Sequence, residues 1–168
     1  AIKNIGRGFI QTMMRRREQD GPFRSFQDFC QRMFDCTDMN KRAVENLIRS
    51  GAFDSMKVRR SQLIQVYGQV LDGIAASRKR NVEGQLDLFG MGGGEAEQAA
   101  LPALHLANIP EYTPQQLMTM EKEITGLYLS GHPMDQYREM ARRKGAVSIG
   151  SILLDFQRED GPKEYRDN

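Results

Sequence analysis

The stretch Ile2-Lys3-Asn4-Ile5-Gly6-Arg7-Gly8 has the residue types of a tight turn, and the predicted helices follow it along the chain. Asn4 and Gly6 are residue types that tolerate a positive φ angle, so the stretch suits a tight hairpin. Apolar residues recur at helical spacing directly after it, which predicts a helix from about Arg7 to Gln19. The chain therefore begins with a hairpin that leads into a helix.

Three further helices and a second hairpin follow. Ser25 has the residue type of an N-cap for a second helix, and Asn40 has that of an N-cap for a third. A fourth amphipathic helix is predicted from about Arg60 to Lys79. Between the third and fourth helices, Ala52-Phe53-Asp54 follows Gly51 as a second short hairpin. Four short helices and two hairpins predict a compact all-α unit over residues 1–80.

The charge of the chain changes sign along its length. Residues 1–80 carry a net charge of +8 and residues 81–168 a net charge of −6, which leaves +2 for the whole chain. The basic half predicts an anionic partner. A hairpin before a helix leaves backbone N–H groups free at the helix start, and these suit a phosphate. The candidate DNA-binding residues are Lys3, Asn4, Ile5, Gly6, Arg7 and Gly8 at the first hairpin, and Arg49, Ser50, Gly51, Ala52, Arg59 and Arg60 around the second.

Residues 81–112 have the composition of a flexible linker that is interrupted by one apolar cluster. The cluster is Gln85-Leu86-Asp87-Leu88-Phe89, and large apolar side chains in a tether indicate a partner that buries them. A helical connector is predicted for residues 113–145, with Thr113 as the N-cap of its first helix and Gln116 as the capping-box residue. Residues 146–168 are expected to be the start of a truncated β domain or a disordered tail. In that segment Val147-Ser148-Ile149 and residues 152–156 have a strand-like pattern.

The sequence offers no evident catalytic or metal-binding site. Cys30 and Cys36 have neither zinc-site nor redox-pair spacing, and free thiols fit a reducing compartment. Cys30 lies on the apolar stripe of the second helix and is expected to be a core residue. His132 lies before a proline in a turn and is expected to be structural. The acidic residues are not clustered as a two-metal site requires. The sequence shows neither a signal peptide nor a membrane span, and its apolar start and polar end are typical of a piece of a longer protein.

Several separated motifs together resemble the bacterial replicative DNA polymerase III alpha subunits of the C family. These motifs are Asn4-Ile5-Gly6 before an apolar helix, Gly51-Ala52-Phe53-Asp54-Ser55 after the third helix, Gly21-Pro22-Phe23, the cluster 85–89, Glu121-Lys122-Glu123 and Leu129-Ser130-Gly131-His132-Pro133. They occur in the family's order and cover most of the chain.

The resemblance implies a tandem helix–hairpin–helix region that grips duplex DNA nonspecifically, followed by a peptide, residues 85–89, that binds the sliding clamp. It also implies that the truncated β domain expected for residues 146–168 is of an oligonucleotide-binding type. It also implies a cytoplasmic DNA-directed DNA polymerase, a nucleotidyltransferase that uses magnesium and contacts other replisome subunits. This segment alone is expected to hold no cofactor and to be inactive.

One departure from the family pattern concerns the second hairpin. Bulky Phe53 stands where a small residue would allow close approach of a phosphate. Two alternatives remain open on the sequence: a stand-alone helix–hairpin–helix protein of repair or recombination, and an all-α interaction scaffold whose arginines are only solvated.

Overall fold

The computed structural model describes residues 2–88 and 104–157, apart from the side chains of residues 81–88. The predicted mainly α class is confirmed, and the described ranges contain no strand. None of their helices is both long and apolar enough to cross a membrane. The helices are α1 Arg7–Asp20, α2 Phe26–Met33, α3 Lys41–Arg49, α4 Arg60–Leu88, α5 Pro114–Thr125, α6 Arg138–Arg143 and α7 Ile149–Phe156, with 3-10 helices at Asp54–Met56 and Pro133–Tyr137.

Side-chain caps start several of these helices where the sequence predicts them. The Asn40 side chain accepts a hydrogen bond from the backbone N–H of Ala43 at 2.9 Å, and Ser25 Oγ accepts one from Asp28 at 3.1 Å. Thr113 and Gln116 form a complete capping box at the start of α5. Each cap satisfies a backbone N–H that the helix itself leaves unpaired.

The core of the first unit is built around phenylalanine rings. Phe29 packs edge-on against Phe53 and Phe23, with ring centroids 5.0 and 5.1 Å apart, and Phe53 also packs against Phe26 at 5.1 Å. Cys30 lies in the same core, and burial raises the pKa of its thiol to about 12. This cysteine is therefore a packing residue, as the sequence predicts.

The chain divides into two compact units, residues 1–130 and 131–168. The helix α5, which the sequence assigns to a connector, lies in the first unit and packs against α3. In the second unit, His132 caps the 3-10 helix Pro133–Tyr137 and thus has a structural contact. Large apolar side chains of this unit are exposed, among them Met134, Met140, Ile149, Leu153 and Phe156.

Two predicted boundaries differ from the structure. The strand prediction for residues 147–149 and 152–156 is wrong, because residues 149–156 form α7. Ser148 caps α7 through a 3.1 Å bond from the Ser151 N–H, and apolar residues at 149, 152, 153 and 156 fit the helical period. The fourth helix continues to Leu88 rather than ending at Lys79, so the linker composition from residue 81 does not end the helix.

Candidate nucleic-acid interface

The first hairpin has an open helix start. Asn4 has a φ angle of +61°, as the sequence predicts for a tight turn, and Gly6 is the N-cap of α1 in an extended conformation. No side chain caps α1. Gly6, Arg7 and Gly8 are exposed, so the first N–H groups of the helix face a site that a phosphate can reach.

The other side of this hairpin is anchored to the rest of the unit. The Lys3 N–H donates to the carbonyl of Ile124 at 3.0 Å, and the buried Asn46 side chain donates to the Lys3 carbonyl at 2.7 Å. Ile2 and Ile5 pack against the core. Because α3 and α5 hold the hairpin backbone, the side chains of Lys3, Asn4 and Arg7 are left exposed on the surface.

A carboxylate lies close to this open helix start. A Cβ atom built on Gly8 would lie 3.3 Å from Asp38 Oδ2, and one built on Gly6 would lie 3.5 Å from it. Asp38 is exposed. Glycine at both positions therefore keeps the α1 start accessible, and Asp38 adds a negative charge beside it.

The second hairpin is closed by its own hydrogen bonds. Gly51 has a φ angle of +82°, and the N–H groups of residues 50, 51, 52 and 54 all donate to nearby backbone carbonyls. Phe53 is buried and its ring packs into the phenylalanine core, so it does not block the surface as its size suggests. Of this turn, Ala52 is exposed and Ser50 is buried.

The buried guanidinium of Arg60 forms ion pairs with the exposed Asp54 of the second hairpin and with the buried Glu121. Arg60 is 4% exposed, and its Nη2 lies 2.6 Å from Asp54 Oδ2 and 2.8 Å from Oε1 of Glu121. The backbone N–H groups of Leu129 and Ser130 each donate to Glu121 Oε2 at 2.8 Å. Arg60 thus joins the second hairpin to α5 and to the Leu129–Ser130 loop.

The pKa of Glu121 follows from these contacts. Burial raises the pKa, but hydrogen bonds from Ser130, Arg60 and Leu129 outweigh burial, and the pKa lies below its ordinary value. Glu121 is therefore an ionised, fully buried carboxylate whose charge is matched by Arg60.

Two other candidate residues at the second hairpin are also occupied by contacts within the chain. Arg59 donates to the Asn108 side chain at 3.0 Å and to the carbonyl of Ile109. The Arg49 guanidinium is half-buried and lies 2.9 Å from Glu45 Oε1. A phosphate contact through Arg59 or Arg60 would require these bonds to open. The structure thus brings the first-hairpin residues into an accessible site and leaves most of the second set engaged.

The predicted clamp-binding cluster lies at the edge of what the structure describes. The backbone of Gln85–Leu88 forms the last turn of α4, and Phe89 lies outside the described residues. Within the described residues, no group of three or more His, Cys, Asp or Glu side chains is placed to hold a metal ion.

Sequence reasoning missed three residues that shape this surface: Asp38, Asn46 and Glu111. The sequence places the motif residue Glu121 on an exposed helix face, and this is wrong because Glu121 is fully buried against Arg60. Asn46 and Glu121 each stand on or beside an apolar helix face, which is a weak signal for a buried polar residue. Glu111 lies 51 residues from Arg60, its backbone donor, and nothing local in the sequence marks that contact.

Comparison with known proteins identifies the motif to which the two hairpins belong. Residues 1–63 match a family model described as the helix-hairpin-helix motif, and they include the first hairpin, α1 to α3 and the second hairpin. The accessible helix start therefore lies within a helix-hairpin-helix motif, and the sequence prediction of such a motif in a mainly α chain is confirmed.

Similarity to whole relatives extends well beyond this motif. The chain is 36% identical to a DNA polymerase III subunit alpha from Saccharopolyspora erythraea over 99% of its length. It is 37% identical to the Escherichia coli K12 protein of that name over 89% of its length, and 33% identical to the one from Chlamydia pneumoniae over 90%. Over nearly its whole length the chain is thus similar to one segment of DNA polymerase III alpha subunits, which supports its assignment as a fragment of such a subunit. It spans only 12 to 14% of the length of these relatives.

Proposed function

We propose that this segment binds duplex DNA without reading its sequence, and that it does so through the first hairpin. The open start of α1 supports this proposal, because Gly6, Arg7 and Gly8 present unpaired N–H groups beside the cationic side chains of Lys3 and Arg7. Backbone N–H groups and lysine or arginine side chains contact phosphates without identifying bases. In a polymerase, such a contact would hold the duplex beside the catalytic part.

A test of this proposal replaces Gly6 by aspartate. Aspartate is a favourable N-cap, and its carboxylate would occupy the N–H groups that the phosphate needs. The N-cap gain is offset by repulsion from the nearby Asp38 carboxylate, so Gly6→Asp should stay folded but bind duplex about tenfold more weakly or worse, because a hydrogen bond to a charged group contributes about 1.5–3 kcal/mol. The measurement is fluorescence anisotropy with a labelled duplex.

The control for Gly6→Asp is Gln69→Glu, which makes the same change of charge on an exposed part of α4. If both variants bind duplex equally weakly, the loss of affinity is explained by the change in net charge alone. Normal binding by Gly6→Asp would show that the first hairpin is not the phosphate site and would favour an interaction scaffold.

We also propose that Gln85-Leu86-Asp87-Leu88-Phe89 tethers the polymerase to a bacterial sliding clamp. Gln85 supplies directional hydrogen bonds, while Leu88 and Phe89 have the size to fill an apolar cleft. A clamp that takes this peptide in an extended form must unwind the last turn of α4, and helix ends open at little free-energy cost. Two contacts on one polypeptide, to DNA and to a ring around it, would raise processivity through effective concentration.

Calorimetric titration with a purified bacterial sliding clamp tests the tether. The wild-type chain should bind with a dissociation constant on the order of micromolar, and a Leu88→Ala/Phe89→Ala double variant should not bind. A Met91→Ala/Leu101→Ala variant removes two apolar side chains from the same stretch outside the pentapeptide and should bind as the wild type does. Equal binding by all three chains would eliminate the pentapeptide as the tether.

A further inference from the structure

The start of α4 differs from the start of α1 in being occupied. The backbone N–H of Arg60 donates to Glu111 Oε2 at 2.7 Å, and the N–H of Ser61 donates to Glu111 Oε1 at 3.0 Å. A single carboxylate thus uses both oxygens on two consecutive N–H groups at a helix start. This is the arrangement in which two oxygens of a phosphate would bind.

The surroundings of the Glu111 carboxylate also suit an anion. Partial burial raises the pKa of Glu111, but hydrogen bonds from Ser61, Tyr112 and Arg60 hold it below its ordinary value. The Ser61 hydroxyl belongs to a residue that is only 6% exposed, lies close enough to the carboxylate to help lower this pKa, and has no partner with hydrogen-bond geometry. The site therefore holds one more donor than Glu111 fully uses.

The segment that carries Glu111 is tied to the helix start by neighbouring contacts. Arg59 donates to the Asn108 side chain at 3.0 Å, and Gln62 donates to the carbonyl of Ala107 at 2.8 Å. Residues 107–111 thus lie along the first turn of α4. At α1 the corresponding carboxylate is Asp38, but no side chain caps that helix.

We propose that Glu111 is an internal substitute for a phosphate and that it closes the start of α4. Its removal exposes a second phosphate site, made by the N–H groups of Arg60 and Ser61. On this basis the wild-type chain contacts duplex through the first hairpin alone, a consequence that rests on the proposed DNA binding. The phosphate site itself can be tested without DNA.

The direct test is a titration with inorganic phosphate, followed by the backbone amide resonances of the full chain. In a Glu111→Ala variant, the amides of Arg60 and Ser61 should shift saturably, while in the wild type they should not respond. Glu18→Ala removes an exposed carboxylate elsewhere and should behave as the wild type does. Unresponsive Arg60 and Ser61 amides in a folded Glu111→Ala chain would overturn the proposal.

A Glu111→Gln variant covers the case in which the alanine variant does not fold. The glutamine keeps one acceptor oxygen and the shape of the side chain but presents an amide group to the second N–H, so phosphate should still shift the Arg60 and Ser61 amides. The absence of a shift in this folded variant would equally refute the proposal.

A duplex titration over a range of salt concentrations tests the consequence for DNA binding. Loss of the Glu111 charge together with one added phosphate contact should steepen the slope of log affinity against log salt in Glu111→Ala, by at most about 0.9. An unchanged slope alongside a positive phosphate titration would confine Glu111 to a small-anion site. If the wild type binds no duplex at all, the DNA-binding proposal fails, while the phosphate titration still decides the role of Glu111.

Discussion

Replacement of Gly51 by alanine should destabilise the first unit strongly, although it adds only one methyl group. Gly51 has a φ angle of +82°, which L residues adopt with strain. A Cβ at this position would clash with Arg60 Nη2 and would lie 2.8 Å from Asp54 Oδ2. The methyl group would therefore push against the guanidinium that links the second hairpin to Glu121.

The size of the effect follows from these two terms. Left-handed backbone at a non-glycine residue costs about 1–2 kcal/mol. Removal of one partner from a buried ion pair costs about 3–5 kcal/mol, and Arg60 would lose part of this by shifting away from Glu121. We expect a loss of about 2–6 kcal/mol in the free energy of unfolding, which is large against the 5–15 kcal/mol typical of a domain.

Urea denaturation followed by circular dichroism measures this loss, and the chain offers a matched control. Gly68 lies inside α4, where an added Cβ would meet no atom within 4 Å, so Gly68→Ala should stabilise the chain by about 1 kcal/mol. The same substitution is thus expected to have opposite signs at the two sites. A Gly51→Ala chain as stable as the wild type would show that Arg60 is not held where the structure places it.

Three further predictions follow from single contacts. Because the pKa of Glu121 is lower in the folded than in the unfolded chain, the stability it contributes is present above about pH 4.5 and is lost as the pH falls through the folded pKa. The loss of unfolding free energy caused by Glu121→Gln, measured by urea denaturation, should therefore shrink below about pH 4.5. A loss that stays constant with pH would contradict this. Asp38→Asn should strengthen duplex binding two- to fivefold at low salt, since a charge at a helix start contributes about 0.3–1 kcal/mol. If an anisotropy titration shows no gain in affinity, Asp38 does not affect the phosphate site. Asn40→Ala should lower the free energy of unfolding by about 1 kcal/mol through loss of the α3 cap, whereas an unchanged urea midpoint would make that cap energetically neutral.

The sequence predicts those parts of the fold that depend on neighbouring residues. The hairpin at Asn4, the caps at Ser25, Asn40 and Thr113, and the core position of Cys30 are all local patterns, and the structure confirms them. The strand prediction at residues 152–156 failed because a short apolar run fits a helix as well as a strand, and the cap at Ser148 favours the helix.

The two hairpins of the candidate site differ in how far the sequence predicts them. The accessible first hairpin could be predicted, since its residues are contiguous and its glycines are visible in the sequence. The state of the second hairpin depends on Glu111 and Glu121, which lie some fifty to sixty residues from Arg60. Contacts at such separation leave no periodic signal, so the sequence shows two similar hairpins where the structure has one open and one occupied helix start.

This difference between the two hairpins bears on how a tandem motif acts on DNA. Two phosphate sites in series would fix the segment on a duplex at two points, whereas the one open site that we propose, beside the exposed Lys3 and Arg7, would fix it at one. At the second hairpin, the bonds of Arg60 run inward to Asp54 and Glu121. The second hairpin therefore stabilises α5 and, through α5, the carbonyl of Ile124 that holds Lys3. On this view the second hairpin supports the DNA contact by positioning the first one.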